Sequence, residues 1–565
     1  MIGMKRAGEL AEVIHDRQTP RDVRPPFLQL CPRKRQQVLR HAVRRQRGPC
    51  RHHLRLRSCG VQNDRLRMSP PSSRVIGPPG TAAPLKMRVQ MADSSREFDL
   101  IVIGGGPAGM VGATTAAALG RTVAVVDSHH ELGGAGANTG TVPSKTLRET
   151  ALALSGMRSR NLYGVDLSLR REATVADFLR HEQNVKAGLN HVLSQRMEAS
   201  HITVYCGTAS FEDAHTVRVR PLADGKAPDS LLRGEHFLIA IGSAPVRPDI
   251  FPFDSPEIYD SDTILDIDCL PLKMAVIGAG VIGSEYASTF AALGTEVHIL
   301  DGRDALLSFL DAEVSRALTA AMERNGIVFH WKEQVCICGP GASGGVALSL
   351  LSGETLNVDA VLVAAGRKSN VASLNLGAAG VAAGEHGVIA VDDLYRTNMP
   401  HICAAGDVIG FPALASTSME QARRAVRHAL GADLKASASG LLPTGVYTIP
   451  EASMVGETEE SLKRAGVSYI VGRAPYFSSA RGRIIGDSDG FLKLLFRSDD
   501  LKLLGVHAIG EQATELIHVG LMALLTGSGA GVFEEACFNI PTLGALYKVA
   551  ALDAMRLINT ARPGS

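Results

Sequence analysis

The chain has no Cys-x-x-Cys pair, one tryptophan, 5% aromatic residues and no apolar run long enough to cross a bilayer. The first absence removes the usual zinc-ribbon and thioredoxin-type spacings. The lack of a long apolar run, and of a short one after a basic start, means that neither membrane insertion nor export is indicated. Net charge is only +2 over 565 residues, but the two signs are unevenly placed. Residues 1–90 hold 20 Lys+Arg against 5 Asp+Glu, leaving 39 against 52 for the rest.

That basic stretch has no apolar periodicity and contains Arg runs (RKRQQVLRHAVRRQRGPCRHHLRLR) and Pro-rich pieces. Such composition does not bury enough apolar surface to offset chain entropy. Prolines argue against an amphipathic transit helix, and no aromatics interleave the arginines as a nucleic-acid arm would have them. Residues 1–91 are therefore expected to lie outside the folded protein, with Met87 or Met91 as an alternative start. Of nine cysteines, Cys31, Cys50 and Cys59 fall in this tail and the other six are scattered. Cys336 and Cys338 read as two thiols on one side of a strand, a weak metal signal without a second ligand pair. No metal is expected, and a reduced, cytoplasmic protein fits.

Two segments carry chemistry. FDLIVIGGGPAGMVGATTAAALGRTVAVVD (98–127) reads as strand, glycine turn, helix and strand, with Gly104, Gly106 and Gly109 as GxGxxG and Asp127 ending the second strand. The first glycine makes the turn, the second admits a pyrophosphate, and the third packs helix on strand; the acid takes ribose hydroxyls. The free N–H groups and dipole of the helix start favour the phosphates. MAVIGAGVIGSEYASTFAALGTEVHILD (274–301) repeats the unit with Gly278, Gly280, Gly283 and Asp301. Two complete fingerprints predict two dinucleotides, a flavin reached by a nicotinamide. FLIAIGSAPVRP (237–248) and AVLVAAGRKSN (360–370) read as strands ending at Gly242 and Gly366. TNMPHICAAGDVIG (397–410) ends at Gly406-Asp407, where a carboxylate suits a ribityl hydroxyl and a helix from about Thr417 points at the flavin. Asp301 suits a free 2′-hydroxyl and Arg303 a 2′-phosphate, so NAD against NADP stays open.

With GGAGANTGTVPSK (133–145) added, residues 93–565 resemble the pyridine nucleotide-disulfide oxidoreductases, the group of dihydrolipoyl dehydrogenase and glutathione reductase. The resemblance implies an α/β fold with two Rossmann-like dinucleotide-binding domains, for FAD and NAD(P), and a C-terminal α+β dimerisation domain. The implied bounds are 92–271 and 371–440 for the FAD domain, 272–370 for the NAD(P) domain and 441–565 for the interface of a homodimer or higher oligomer. Within the loop, the resemblance implies flavin contacts from Gly133, Gly134, Gly136 and Lys145, with Lys145, Glu285 and Thr141 as the catalytic residues. Gly136 and Thr141 stand where the family has its two redox cysteines. At FNIPTLGALYKVAAL (538–552), Ile540 and Ala545 replace the acid–base His and Glu.

The pattern is most similar to the soluble FAD-containing NAD(P)+ transhydrogenases, through PSKTLRE, RDALLSFLD, LAS (414–416), ATELIHVG (513–520) and FNIPT. That subgroup usually keeps a Cys at the Gly136 position and a Glu at the Ala545 position. By resemblance Lys145 lies beside the flavin and pairs with Glu285, and NADPH reduces NAD+ through FAD. Alternatives are an NAD(P)H oxidase or quinone reductase of the same fold, or an idle flavoprotein that only binds a partner. His518 reads as a partly buried helix histidine, Asn539 as a hydrogen-bond donor or a cap, and GETEESLKR (456–464) as a solvated helix face.

Overall fold

A computed structural model describes residues 96–156, 175–222, 228–342, 344–432 and 440–561; the tail expected at 1–91 lies outside them. The first unit is a parallel sheet ordered Thr203–Phe211, Val123–Asp127, Arg96–Ile103, Ser230–Ile239, Ile402–Ala404. Thr216–Pro221 pairs antiparallel with the first and fourth of these. Its central strands run as unbroken buried apolar stretches such as Leu100–Ile103 and Val123–Val126, the pattern of a sheet covered on both faces. One cover is the small-residue helix Pro107–Ala118, which packs with Ala415–Ala429 through Ala113, Ala116, Ala422 and Ala425. Proline opens the first of these helices, where its missing N–H costs nothing.

The second unit repeats the design in five parallel strands ordered Val328–Trp331, Glu296–Asp301, Lys273–Ile277, Ala360–Val363, Ile258–Asp260. Helices Val281–Ala292 and Ala312–Arg324 pack into its core. A three-stranded antiparallel sheet, Val335–Pro340, Val346–Leu350 and Thr355–Val358, is appended. The chain passes between the units through a two-stranded ribbon in which Ser243–Pro245 pairs with Arg367–Ser369. The segments 237–248 and 360–370 are thus each a strand, a glycine break and a short ribbon strand, not one continuous strand.

The third unit is an antiparallel sheet ordered Thr444–Val446, Glu451–Gly456, Leu503–Gly510, Phe491–Arg497, Tyr469–Pro475, covered by Ala513–Leu525 and Leu546–Ala561.

Three local expectations need correction. A register shift between Val335 and Ile337 puts Cys336 on a bulge, so Cys338 packs toward the core while Cys336 is exposed. His518 is exposed, because it lies on the outward face of its helix beside Val519. In 456–464 Glu459 does not simply face solvent. It contacts Lys493 Nζ, an ammonium with no exposed side-chain surface that also lies 2.8 Å from Asp311 Oδ1 and 2.9 Å from Glu313 Oε2. Asp311, Glu313 and Glu459 are the one acidic group among the described residues close enough together for a metal. They already surround this lysine. The cluster ties the second unit to the third.

Candidate functional site

The two fingerprints are built alike, and each glycine has its own physical reason. Gly104 and Gly278 turn at φ +103° and +106°, where a Cβ would sit 2.3 Å from Ala240 O and 2.5 Å from Ala364 O. Only glycine fits there. A Cβ on Gly109 or Gly283 would lie 1.8 or 2.0 Å from the carbonyl oxygen of Gly104 or Gly278, so helix and turn touch. The middle glycines differ. Gly106 and Gly280 are extended, with φ −73° and −79°. A Cβ would meet nothing nearer than Gly134 Cα at 3.8 Å in the first case and nothing within 4 Å in the second. Protein packing does not require glycine at these two positions. A pyrophosphate at the helix N-terminus does, so the residues present fit a dinucleotide in each unit.

The acids that end the second strands brace these turns. Asp127 Oδ2 accepts from the Gly105 amide (2.5 Å) and Oδ1 from the His129 amide (2.8 Å). Asp301 Oδ2 accepts from the Ala279 amide (2.6 Å) and Oδ1 from the Arg303 amide (2.8 Å). Arg303 then adds a two-toothed guanidinium contact, Nε to Oδ1 at 2.9 Å and Nη2 to Oδ2 at 2.6 Å. That contact holds the Asp301 carboxyl down to about 2. In the first unit the same position carries His129, an imidazole raised by its bond to Asp127.

Between the units lies the loop 133–145. Gly133 and Gly134 have φ +100° and +51°, and a Cβ on Gly134 would come within 2.8 Å of Gly106 Cα. Gly136 abuts Pro107, whose Cγ would lie 2.6 Å from a Cβ there. Thr141 opens the helix Thr141–Ser155 and is exposed. Neither supplies a thiol. One turn on, Lys145 Nζ donates to Glu285 Oε2 at 2.5 Å, and buried Glu285 belongs to the second unit's first helix.

Gly242 and Gly366 flank the ribbon at φ +66° and +112° with open space where a Cβ would be. Gly406 turns at φ +84°, and its amide donates to Gln421. Asp407 accepts from Ser243 Oγ at 2.9 Å, and Ser243 is gripped by Arg367 through Oγ (2.8 Å) and O (2.6 Å). The helix expected from about Thr417 begins at Ala415.

Sequence reasoning placed Ser243 and Arg367 at the ends of the two ligand-closing strands but missed their contact with each other, and it missed Tyr447. The Tyr447 amide donates to Glu285 Oε1 at 2.8 Å and its ring lies under the Lys145 ammonium, 5.0 Å from the centroid. It also missed buried Arg148, which donates to Thr448 O (3.1 Å) and pairs with Glu451 Oε1 (3.1 Å). At the other end of the chain, Ile540 is exposed and Ala545 ends a short 3₁₀ turn; neither side chain titrates. Asn539 is also exposed, and its carbonyl accepts from Thr542 Oγ1 at 2.7 Å.

Comparison with known families matches residues 98–429 to the pyridine nucleotide-disulphide oxidoreductase model and 442–551 to that family's dimerisation domain. The chain belongs to the pyridine nucleotide-disulphide oxidoreductase family. Among curated relatives, the soluble pyridine nucleotide transhydrogenase of Mycobacterium bovis (strain BCG / Pasteur 1173P2) is 44% identical over 460 residues, 81% of this chain and 97% of the relative. The protein of the same name from Erwinia tasmaniensis is 38% identical, covering 82% and 98%. Among solved structures, the HOCl-induced flavoprotein disulfide reductase RclA of Escherichia coli, as its Cu(II) complex, aligns with a TM-score of 0.72 at 26% identity, covering 81% of this chain and 99% of that one. In this family member the two loop positions compared with the redox cysteines hold Gly136 and Thr141. No helix among the described residues is long and apolar enough to cross a membrane.

Proposed function

We propose that the chain is a flavoprotein transhydrogenase that converts NADPH and NAD+ into NADP+ and NADH. The observation that carries this reading is the Lys145–Glu285 pair, held between two dinucleotide folds in a loop that has no thiol. FAD, the family's cofactor, would supply a carrier that takes a hydride from one nicotinamide and returns it to the other. The first fingerprint, with Gly104, Gly106, Gly109 and Asp127, is the FAD site; Gly133, Gly134, Gly242, Gly406 and Asp407 complete it. The second, with Gly278, Gly280, Gly283, Asp301, Arg303 and Gly366, takes NAD(H) and NADP(H) in turn. In the family's arrangement the PSK lysine faces the flavin ring. A fixed cation there stabilises the negative charge that reduction places on the ring, and Glu285 holds the ammonium in one place.

The missing groups narrow the chemistry. Without a thiol pair at Gly136 and Thr141, and with Ile540 and Ala545 in place of proton carriers, the chain's own residues do not relay electrons to a disulfide. Electrons leave by the route they entered. The names of the relatives, soluble pyridine nucleotide transhydrogenase, support the same conclusion. A homodimer is part of this reading. The dimerisation-domain match and an outward apolar face carrying Val519, Met522, Leu525, Val549 and Leu552 support it. The six described cysteines form no disulfide, which suits the reducing cytoplasm.

The test is anaerobic: reduce the bound flavin with NADPH, then add NAD+ or oxygen in separate runs. Fast reoxidation by NAD+ is expected. Reoxidation much faster by oxygen than by NAD+ would move the assignment to an oxidase or quinone reductase.

A further inference from the structure

The Lys145 ammonium has three donors and few directed partners. Glu285 Oε2 takes one at 2.5 Å and Ser144 Oγ offers a long contact at 3.3 Å. The face of the Tyr447 ring lies 5.0 Å from the ammonium on another side, and the side chain stays 25% exposed. Tyr447 comes from the third unit, more than 300 positions along the chain, just beyond the strand Thr444–Val446.

Its place is fixed from several directions. The Tyr447 amide donates to Glu285 Oε1, so both oxygens of that carboxylate are engaged. The next residue's carbonyl, Thr448 O, accepts from Arg148 Nε. Arg148 pairs with Glu451, whose Oε2 accepts the Thr514 amide (3.1 Å) and hydroxyl (2.7 Å). Arg148 also stands three residues beyond Lys145 in the same helix. The third unit thereby grips the helix that carries the cation.

We infer that Tyr447 is a positioning residue: its ring holds the Lys145 ammonium in place and thereby sets how strongly that cation favours reduced flavin. The inference rests on the reading of Lys145 as the flavin-facing cation. A ring face near a cation attracts it electrostatically, and the whole contact, worth about fivefold in an equilibrium, is the upper bound on the part that differs between oxidised and reduced flavin. For a two-electron couple that is roughly 20 mV. Loss of the ring leaves the ammonium less well held, so reduced flavin is less favoured and the midpoint potential falls.

The experiment measures the flavin midpoint potential of the flavin-loaded full chain in a mutant cycle: Tyr447→Leu, Tyr447→Phe, Lys145→Met, and Tyr447→Leu combined with Lys145→Met. Leucine removes the ring but keeps the backbone N–H to Glu285. Phenylalanine keeps the ring and loses only the hydroxyl. Expected are a measurable fall of up to about fivefold in the reduction equilibrium for Tyr447→Leu, none for Tyr447→Phe, and no further fall when Tyr447→Leu is added to Lys145→Met. Equal falls in both backgrounds, or equal falls for Phe and Leu, would overturn the inference. If Lys145→Met shifts the potential and Tyr447→Leu does not, the inference fails while the Lys145 reading stands. If Lys145→Met shifts nothing, both fail, and transfer from NADPH to NAD+ is then judged on its own assay. Should Tyr447→Leu lose its flavin, Tyr447→Met takes its place in the cycle.

Discussion

Three alanine substitutions within one glycine motif should separate folding from nucleotide binding. At Gly283 a Cβ would lie 2.0 Å from Gly278 O, a backbone atom that cannot yield without moving the turn. Overpacking of that kind costs about 1–3 kcal/mol. At Gly278 the cost has two sources, a φ of +106° and a Cβ 2.5 Å from Ala364 O, and the strained backbone alone is worth roughly 1–3 kcal/mol. Gly280 is different. Its φ of −79° and ψ of −176° suit any residue, and nothing lies within 4 Å of its Cβ position. Alanine there limits the unfolded chain, a gain of about 0.4–1 kcal/mol. It also gives up a good N-cap residue, a loss of up to about 1 kcal/mol. The two nearly cancel. The methyl group nevertheless stands where the pyrophosphate must approach the amides. Losing one charge-assisted hydrogen bond there costs about 1.5–3 kcal/mol, roughly a ten- to hundredfold rise in Kd. Thermal melts of the flavin-loaded protein and nucleotide titrations measure the two effects separately. Gly280→Ala should leave Tm in place and weaken NADH and NADPH alike, with flavin retained; Gly106→Ala should instead release flavin. A lowered Tm with unchanged nucleotide Kd for Gly280→Ala would refute the division of roles among the three glycines.

Replacement of Arg303 by Ala should weaken NADP(H) by about ten- to hundredfold and leave NAD(H) within roughly threefold, because a 2′-phosphate loses a charge-assisted partner; equal losses for both nucleotides would refute that role. The Arg303–Asp301 contact lowers the folded-state carboxyl, so its stabilisation is present above the ordinary carboxylate range near 3.8 and is lost as pH falls toward about 2. Acid melts of the Arg303→Ala variant should lack that component. Lys145→Met should slow both half-reactions on the order of a hundredfold in stopped-flow measurements, and a variant slowed in only one of them would argue against a shared cation. Placing cysteine at Gly136 and Thr141 together should not restore dithiol turnover, because a Cβ at 136 lies 2.6 Å from the rigid Pro107 ring. A dihydrolipoamide assay with thiol titration would show otherwise.

The parts of the molecule legible in the sequence are those whose reasons are local. A strand, a glycine turn and a helix start occupy about a dozen consecutive residues, and Asp301 follows Gly278 at the distance of one helix and one strand. What was not legible joins distant segments. Lys145 meets Tyr447, Arg148 meets Glu451, and Arg367 holds Ser243, each across more than a hundred positions with no periodicity to mark the pair. Two signals were nevertheless there to be read. Arg148 falls three residues after Lys145 on one helix, which puts both on nearby faces. Lys493 interrupts the apolar strand FLKLLFR, and a lysine on a covered sheet needs carboxylates to meet it. The pattern FLDAE supplied them, since Asp311 is also the cap of the helix Ala312–Arg324. Reading GETEESLKR as a solvated face holds for Glu457, Glu460, Lys463 and Arg464 but not for Glu459, because helical spacing shows which residues share a side, but not which side another unit will cover.

The contrast between the two fingerprints bears on which nucleotide stays and which one leaves. Both acids spend oxygen lone pairs on the amides of their own turn, so each proposed ribose site is shaped before any ligand arrives. Beyond that the first unit adds only the largely exposed His129, while the second adds a guanidinium that engages both oxygens of Asp301. On the proposed assignment, a nucleotide entering the second unit must compete with Arg303 for that carboxylate. A free 2′-hydroxyl does so by donating to Asp301 in its place, and a 2′-phosphate does so by drawing the guanidinium onto itself. Either exchange replaces one set of contacts with another of similar strength, which suits a site that must release each product. The first unit offers only the single, longer contact of His129 Nδ1 to Asp127 Oδ1 at 3.3 Å, so on the proposed assignment a cofactor held there meets a weaker competitor.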